Sequence, residues 1–190
     1  MDLTPQMKGE IWRKILHMGI IIFLPIASIS KGVLALILMG LVLLYLAYES
    51  YVQEGGSIPV ITEGIRRAKR LGEQKIARSP FLMFAGVLVT VFLFPLRPAA
   101  AGILQLAFAD MAAALVGLMW GKRKIPYSLK KSWEGFLAYA VVSFSLMLLF
   151  FSFWESLLLA IAGAFIESLP YKDWDNFLIP VSVAAAASFF

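Results

Sequence analysis

Val33-Leu34-Ala35-Leu36-Ile37-Leu38-Met39-Gly40-Leu41-Val42-Leu43-Leu44-Tyr45-Leu46-Ala47-Tyr48 contains no charged residue. A helix at the surface of a soluble protein shows a polar face with a 3.6-residue period. This run is apolar all round, so its surroundings must be apolar too. Six further stretches are predominantly apolar with few charges: 11–29, 80–96, 99–120, 133–153, 154–169 and 176–190. Each approaches the ~20 residues needed to cross a bilayer. The fold predicted is all-α: a polytopic integral membrane protein of about seven transmembrane helices, forming one domain over residues 1–190. Composition agrees, since 61% of the residues are hydrophobic and 15% charged, against about a quarter charged in a soluble domain. The absence of cysteine excludes disulfides and thiolate metal sites.

The net charge of +5 reads as topology rather than as nucleic-acid binding. With the N-terminus inside, Lys8, Arg13 and Lys14, the 49–79 segment, the 121–132 loop and Lys172 place fifteen Lys and Arg on one side. Only Lys31 and Arg97 fall on the other. Basic residues stay cytoplasmic, so the N-terminus is expected in the cytoplasm. The first run follows basic residues as a signal peptide does, with a weak cleavage site near Ala27, and is read as a retained helix kinked at Pro25. Lys31-Gly32 marks the next turn. Within 49–79, Ile61, Ile65, Ala68 and Leu71 share one helical face while Arg66, Arg67, Lys69 and Arg70 lie elsewhere. That pattern predicts an amphipathic helix on an anionic membrane surface.

Four polar groups stand out on the cytoplasmic side. Glu10, Arg13, Lys14 and His17, the sole histidine, recur at i, i+3, i+4 and i+7 and share one helical stripe. Basic anchoring with a Glu10–Lys14 pair accounts for the lysine and arginine, but less well for His17, about a turn deeper. Asp110 lies inside the fourth run, roughly 15 Å from its end at 1.5 Å per residue. A carboxylate at that depth costs about 2.5 kcal/mol or more, and marks either a functional site or the partner of a base on another helix. Ala113, Ala114, Gly117 and Gly121 around it suit close helix packing or a ligand. In the 121–132 loop, Lys131 and Ser132 open a helix whose free N–H groups suit phosphate, with Ser132 an N-cap and Glu134 one turn on. Gly121-Lys122 does not have P-loop spacing. Finally, Glu167, Asp173 and Asp175 cluster at one turn beside Asn176. Oxygen donors of this kind suit Mg²⁺, which takes one or two carboxylates plus substrate phosphates; capping of the last helix by Asp175 is the plainer reading. Cations for phosphate and carboxylates for a metal, on helices open to lipid, point to phosphoryl or nucleotidyl transfer onto a lipid. A proton-relay transporter would show paired broken helices in two halves, and no such symmetry is present.

Glu10-x-x-Arg13-Lys14-x-x-His17-x-Gly19 resembles the opening of the phytol kinase and dolichol kinase family. Ala109-Asp110-x-x-Ala113, Gly117-x-x-x-Gly121 and Lys131-Ser132-x-Glu134-Gly135 resemble its central signature. Glu167-Ser168-x-Pro170 with Asp175-Asn176 and Pro180 resembles its C-terminal one. Ala109 stands where that family often has glycine. The resemblance implies an integral membrane enzyme that uses CTP and a divalent metal to phosphorylate a long-chain isoprenoid alcohol. The wider group includes phosphatidate cytidylyltransferases, which make a CDP-lipid. On this reading Asp110 binds Mg²⁺ or accepts the hydroxyl proton, and Glu167 and Asp175 complete the metal and nucleotide site. Arg13, Lys14 and Lys131 hold the triphosphate, with Ser132, Glu134 and Asn176 on the nucleotide, and His17 orients a phosphate or acts as base. The expected partners are the membrane lipid and the nucleoside triphosphate, with a homodimer left open and no nucleic acid.

Overall fold

The computed structural model describes residues 5–59, 78–171 and 173–190. The interfacial helix expected at 61–71, and Lys172, lie outside the described residues. Helix α1 (Pro5–Met18) runs through one 3₁₀ turn (Gly19–Ile22) into α2 (Phe23–Ile29). The tightening falls just before Pro25, which has no N–H to give the Ile21 carbonyl. The kink expected there is therefore a change of winding. Helix α3 (Lys31–Gln53) starts after Ser30, whose side chain accepts the Val33 N–H. The turn is thus Ser30, one residue before the Lys31-Gly32 expected. Then follow α4 (Arg78–Leu93), α5 (Leu96–Leu104), a π-helical turn (Gln105–Ala109) and α6 (Asp110–Trp120). A small antiparallel ribbon, β1 (Lys124–Ile125) and β2 (Ser128–Ser132), takes the place of the plain loop expected there. Three helices complete the chain: α7 (Trp133–Met147), α8 (Phe153–Ser168) and α9 (Asp175–Ala187).

The protein is an all-α membrane protein. Among the described residues, Met7–Ile29, Lys31–Gln53 and Leu96–Trp120 are long and apolar enough to cross a membrane, and α4, α7 and α9 are shorter apolar helices. The fifth run was expected to reach residue 153, but its helix stops at Met147. A turn over 148–151 follows, and a capping box at Ser152 and Glu155 starts α8 by satisfying orphan N–H groups.

Helix α9 is innermost and packs against α4, α5 and α8, with Ile179, Val183 and Ala184 buried. α7 lies between α6 and α8, and α1 rests on α6. α3 by contrast exposes Leu36, Leu43 and Leu44, as a lipid-facing helix does. Close approach requires glycine at 163, where α8 backs onto the Gln105 amide and the Tyr139 ring. Gly40, on α3, has open space where a Cβ would stand. Gly163→Leu should therefore destabilise the fold by about 1–3 kcal/mol through overpacking, and Gly40→Leu should leave it unchanged. Thermal unfolding of both variants in one detergent checks the contrast; equal midpoints would contradict this packing.

Candidate functional site

The stripe on α1 forms as its spacing predicts, but its members turn to different partners. Arg13 folds back onto Glu10 through two hydrogen bonds, one to each carboxylate oxygen. The intrahelical pair is Glu10–Arg13, rather than the Glu10–Lys14 pair expected. Lys14 is left to cross to α6, where it forms an ion pair with Oδ2 of Asp110. Both residues are buried, at 5% and 1% exposure, so neither charge is screened by solvent. The other oxygen of Asp110, Oδ1, is buried with no hydrogen-bond partner among the described residues. Asp110 is also the first residue after the π turn, a winding often found at functional sites.

Three further elements, β2, α8 and α9, bring a second ion cluster together. Lys131, on β2, places its Nζ 2.5 Å from Glu167 Oε1 at the end of α8 and 3.6 Å from Asp175 Oδ2 at the start of α9. Burial disfavours its charge, but Glu167, Asp175 and Asp110 together outweigh this and raise the Lys131 pKa. Lys131 therefore stays protonated through neutral pH, and its contribution is lost only as the medium rises above the ordinary lysine value near ~10.4. Asp110 is among the carboxylates whose field reaches Lys131, so the two ion clusters influence one another. Asn176, one residue beyond Asp175, donates from Nδ2 to Ser79 Oγ at 2.8 Å. Ser79 Oγ in turn lies 3.4 Å from His17 Nε2.

Ser132 and Glu134 have structural partners. Ser132 caps α7 by accepting the Gly135 N–H at 3.2 Å, and Glu134 accepts the Arg123 N–H at 3.2 and 3.3 Å, fastening the ribbon to the helix. The small-residue face of α6 is filled by the start of α7. A Cβ on Gly135 would stand 2.9 Å from the Ala113 carbonyl, and one on Gly117 would stand 3.4 Å from Ser132 Oγ. Asp175 accepts its neighbour's N–H from Asn176 at 3.0 Å.

The sequence reading missed Ser79, Tyr127, Gln105 and Tyr139. Tyr127, in the ribbon's turn, is 2.8 Å from Ser168 Oγ. The Ser168 proton goes to the Phe165 carbonyl, so Tyr127 donates and pins the ribbon to α8. Tyr139 donates to Gln105 Oε1 at 3.1 Å, and Gln105 Nε2 reaches the Leu159 carbonyl at 3.4 Å.

Over 99 residues the chain is 35% identical to the phytol kinase of Synechocystis sp., covering 47% of this chain and 42% of that one. The chain is related to the phytol kinases. Over 142 residues it is 30% identical to a probable chloroplastic phytol kinase of Triticum aestivum, covering 64% and 46%. Over 134 residues it is 28% identical to its counterpart in Zea mays, covering 60% and 44%. The matches span less than half the length of these relatives. No protein-family model and no solved structure matches the chain.

Among the described residues, no group of three or more His, Asp or Glu side chains is arranged as a ready metal shell. Asp110, Glu167 and Asp175 each face a lysine instead. The donors are all oxygen, and Asp110 Oδ1 is unused. Both features fit a hard cation such as Mg²⁺, which takes one or two protein carboxylates and fills its shell with phosphate oxygens and water. Lys14→Met strands the Asp110 charge in an apolar setting and should cost about 3–5 kcal/mol. Adding Asp110→Leu to it should recover most of that loss, because an apolar pair replaces the ionic one. A double-mutant cycle read by thermal unfolding checks the coupling, and additive losses would mean that the pair does not exist.

Proposed function

We propose that this chain is a CTP-dependent kinase that phosphorylates a long-chain isoprenoid alcohol of the phytol, geranylgeraniol, polyprenol or dolichol type. The observation that carries the reading is Asp110: buried, with one oxygen held by Lys14 and the other free, in the field of Lys131. The names of the relatives point the same way. The four carboxylates Glu10, Asp110, Glu167 and Asp175 exceed the three cations Arg13, Lys14 and Lys131 by one charge. A triphosphate approaching this cluster therefore needs a counter-cation with it. Mg²⁺ held by Asp110, with Glu167 and Asp175, would neutralise charge on the phosphates.

The chain's own residues supply the rest. Arg13 and Lys131, the outer cations, leave their carboxylates for the more highly charged triphosphate and stabilise charge spreading onto the transferred group. Asp110 or His17 would take the proton that the acceptor hydroxyl must lose. The isoprenoid tail lies along α1 and α3, whose outer faces are apolar. The converging helix ends flank the basic 121–132 loop and the basic N-terminal turn, which favours the cytoplasmic face for the reaction.

A product assay tests the reading. Purified protein with Mg²⁺ and labelled CTP should yield CDP and a lipid phosphate from isoprenoid alcohols, with ATP as the comparison donor. Pyrophosphate and a CDP-lipid from phosphatidate would instead mean cytidylyl transfer. Asp110→Asn keeps the shape and removes the charge, and should lower turnover by about 10²-fold or more while expression holds. Full activity in that variant would remove Asp110 from the site.

A further inference from the structure

His17 has two open roles, orienting a phosphate or taking a proton, and its hydrogen bonds separate them. Its Nδ1 lies 2.6 Å from the Arg13 carbonyl oxygen. A carbonyl only accepts, so Nδ1 carries the proton and Nε2 of the neutral ring offers a lone pair. Ser79 Oγ faces that lone pair at 3.4 Å. Asn176 Nδ2 donates to the same Oγ at 2.8 Å, which occupies an acceptor position and leaves the hydroxyl proton for Nε2. Donation thus runs in one direction, from Asn176 to Ser79 to His17 to the Arg13 carbonyl. It joins α9, α4 and α1, and all three side chains are buried, at 3%, 6% and 4% exposure. Charged neighbours of the ring are Arg13 and Lys14 on its own helix and Asp110 on α6.

We propose that Ser79 and Asn176 are positioning residues that hold His17 in its Nδ1–H tautomer, with Nε2 kept free to take a proton. A ring so fixed has no N–H at Nε2 to give a phosphate. Resting on the kinase reading, the proton comes from the acceptor alcohol: its O–H bond breaks onto Nε2 as its oxygen bonds to the γ-phosphorus. The bond from that phosphorus to the β,γ-bridging oxygen breaks, and its electron pair leaves with the nucleoside diphosphate. The proton then passes from Nε2 to the diphosphate or to water. At 3.4 Å the Ser79 contact is long for a hydrogen bond, so an incoming hydroxyl readily takes its place.

His17 is the only histidine in the chain, so protein labelled with [¹⁵N]histidine carries a single imidazole. In lipid nanodiscs above neutral pH, the ¹⁵N spectrum should show a protonated Nδ1 and an unprotonated Nε2. Ser79→Ala should shift the ring to a mixture of tautomers and lower kcat by about 10-fold, a part of what a general base contributes, with KM for the alcohol little changed. Ser79→Thr keeps the hydroxyl and should restore both. If Ser79→Ala does not fold, Asn176→Ala applies the same test one link further out. A protonated Nε2 in the unaltered protein, or an unchanged tautomer and kcat in Ser79→Ala, would overturn the proposal. The expected tautomer with no turnover of any alcohol would uphold the positioning and overturn the kinase reading alone.

Discussion

The Lys14–Asp110 pair is the constraint on which the site depends. An isolated charge at either position would be expensive in an apolar interior, so neither residue is tolerable without the other. The pair fixes α1 against α6, and with it the rotation of α1 about its own axis. That rotation determines the rest of the stripe. Arg13 is carried toward Glu10 on the outer side, and His17, one turn further in, is carried toward Ser79 and Asn176. One helical repeat thus distributes four polar side chains to partners on the same helix and on two others, with Asn176 of a third reached through Ser79.

The second anchor is the ribbon. Its backbone is tied to α7 through Glu134 and to α8 through Tyr127, so Lys131 is delivered between Glu167 and Asp175 from a fixed support. A lysine on a free loop would lose side-chain entropy on forming such contacts. Here much of that ordering is already done by the hairpin.

The parts legible in the sequence are those with a period or a charge. The apolar runs gave the helices, the 3.6-residue spacing gave the α1 stripe, and the depth of Asp110 marked it as unusual. Residues with neither signal were invisible. Ser79 sits at the edge of a long polar segment, and nothing local distinguishes it from a solvated serine; its importance comes from α1 and α9, distant in sequence. The π turn before Asp110, Gln105–Ala109, has no proline or glycine within it to announce a change of winding. The end of α7 was a different case. The Ser152-x-x-Glu155 capping box was readable, but it lies within a continuous apolar stretch, and hydropathy alone carried the expected helix past it. Ser132 and Glu134 show a third limit, since serine and glutamate at a helix start serve the backbone or a ligand equally well.

A buried ion pair is a weak way to hold two helices together, because a well-packed apolar pair of similar volume is often as stabilising or more so. A fold that needed only to join α1 to α6 would lose little with aliphatic side chains at 14 and 110. The exposures of the pairs argue for a different purpose. Side-chain exposure is 28% at Glu10, 27% at Lys131, 16% at Asp175 and 11% at Arg13, but 6% at Lys14, 5% at Glu167 and 1% at Asp110. Charges at the rim exchange partners with little desolvation, whereas those inside do not. A polyanion meeting this gradient would displace the rim carboxylates first and come to rest with its leading phosphate against the inner pair. That order places the unpartnered oxygen of Asp110 at the depth where the phosphate and a lipid-borne hydroxyl would meet.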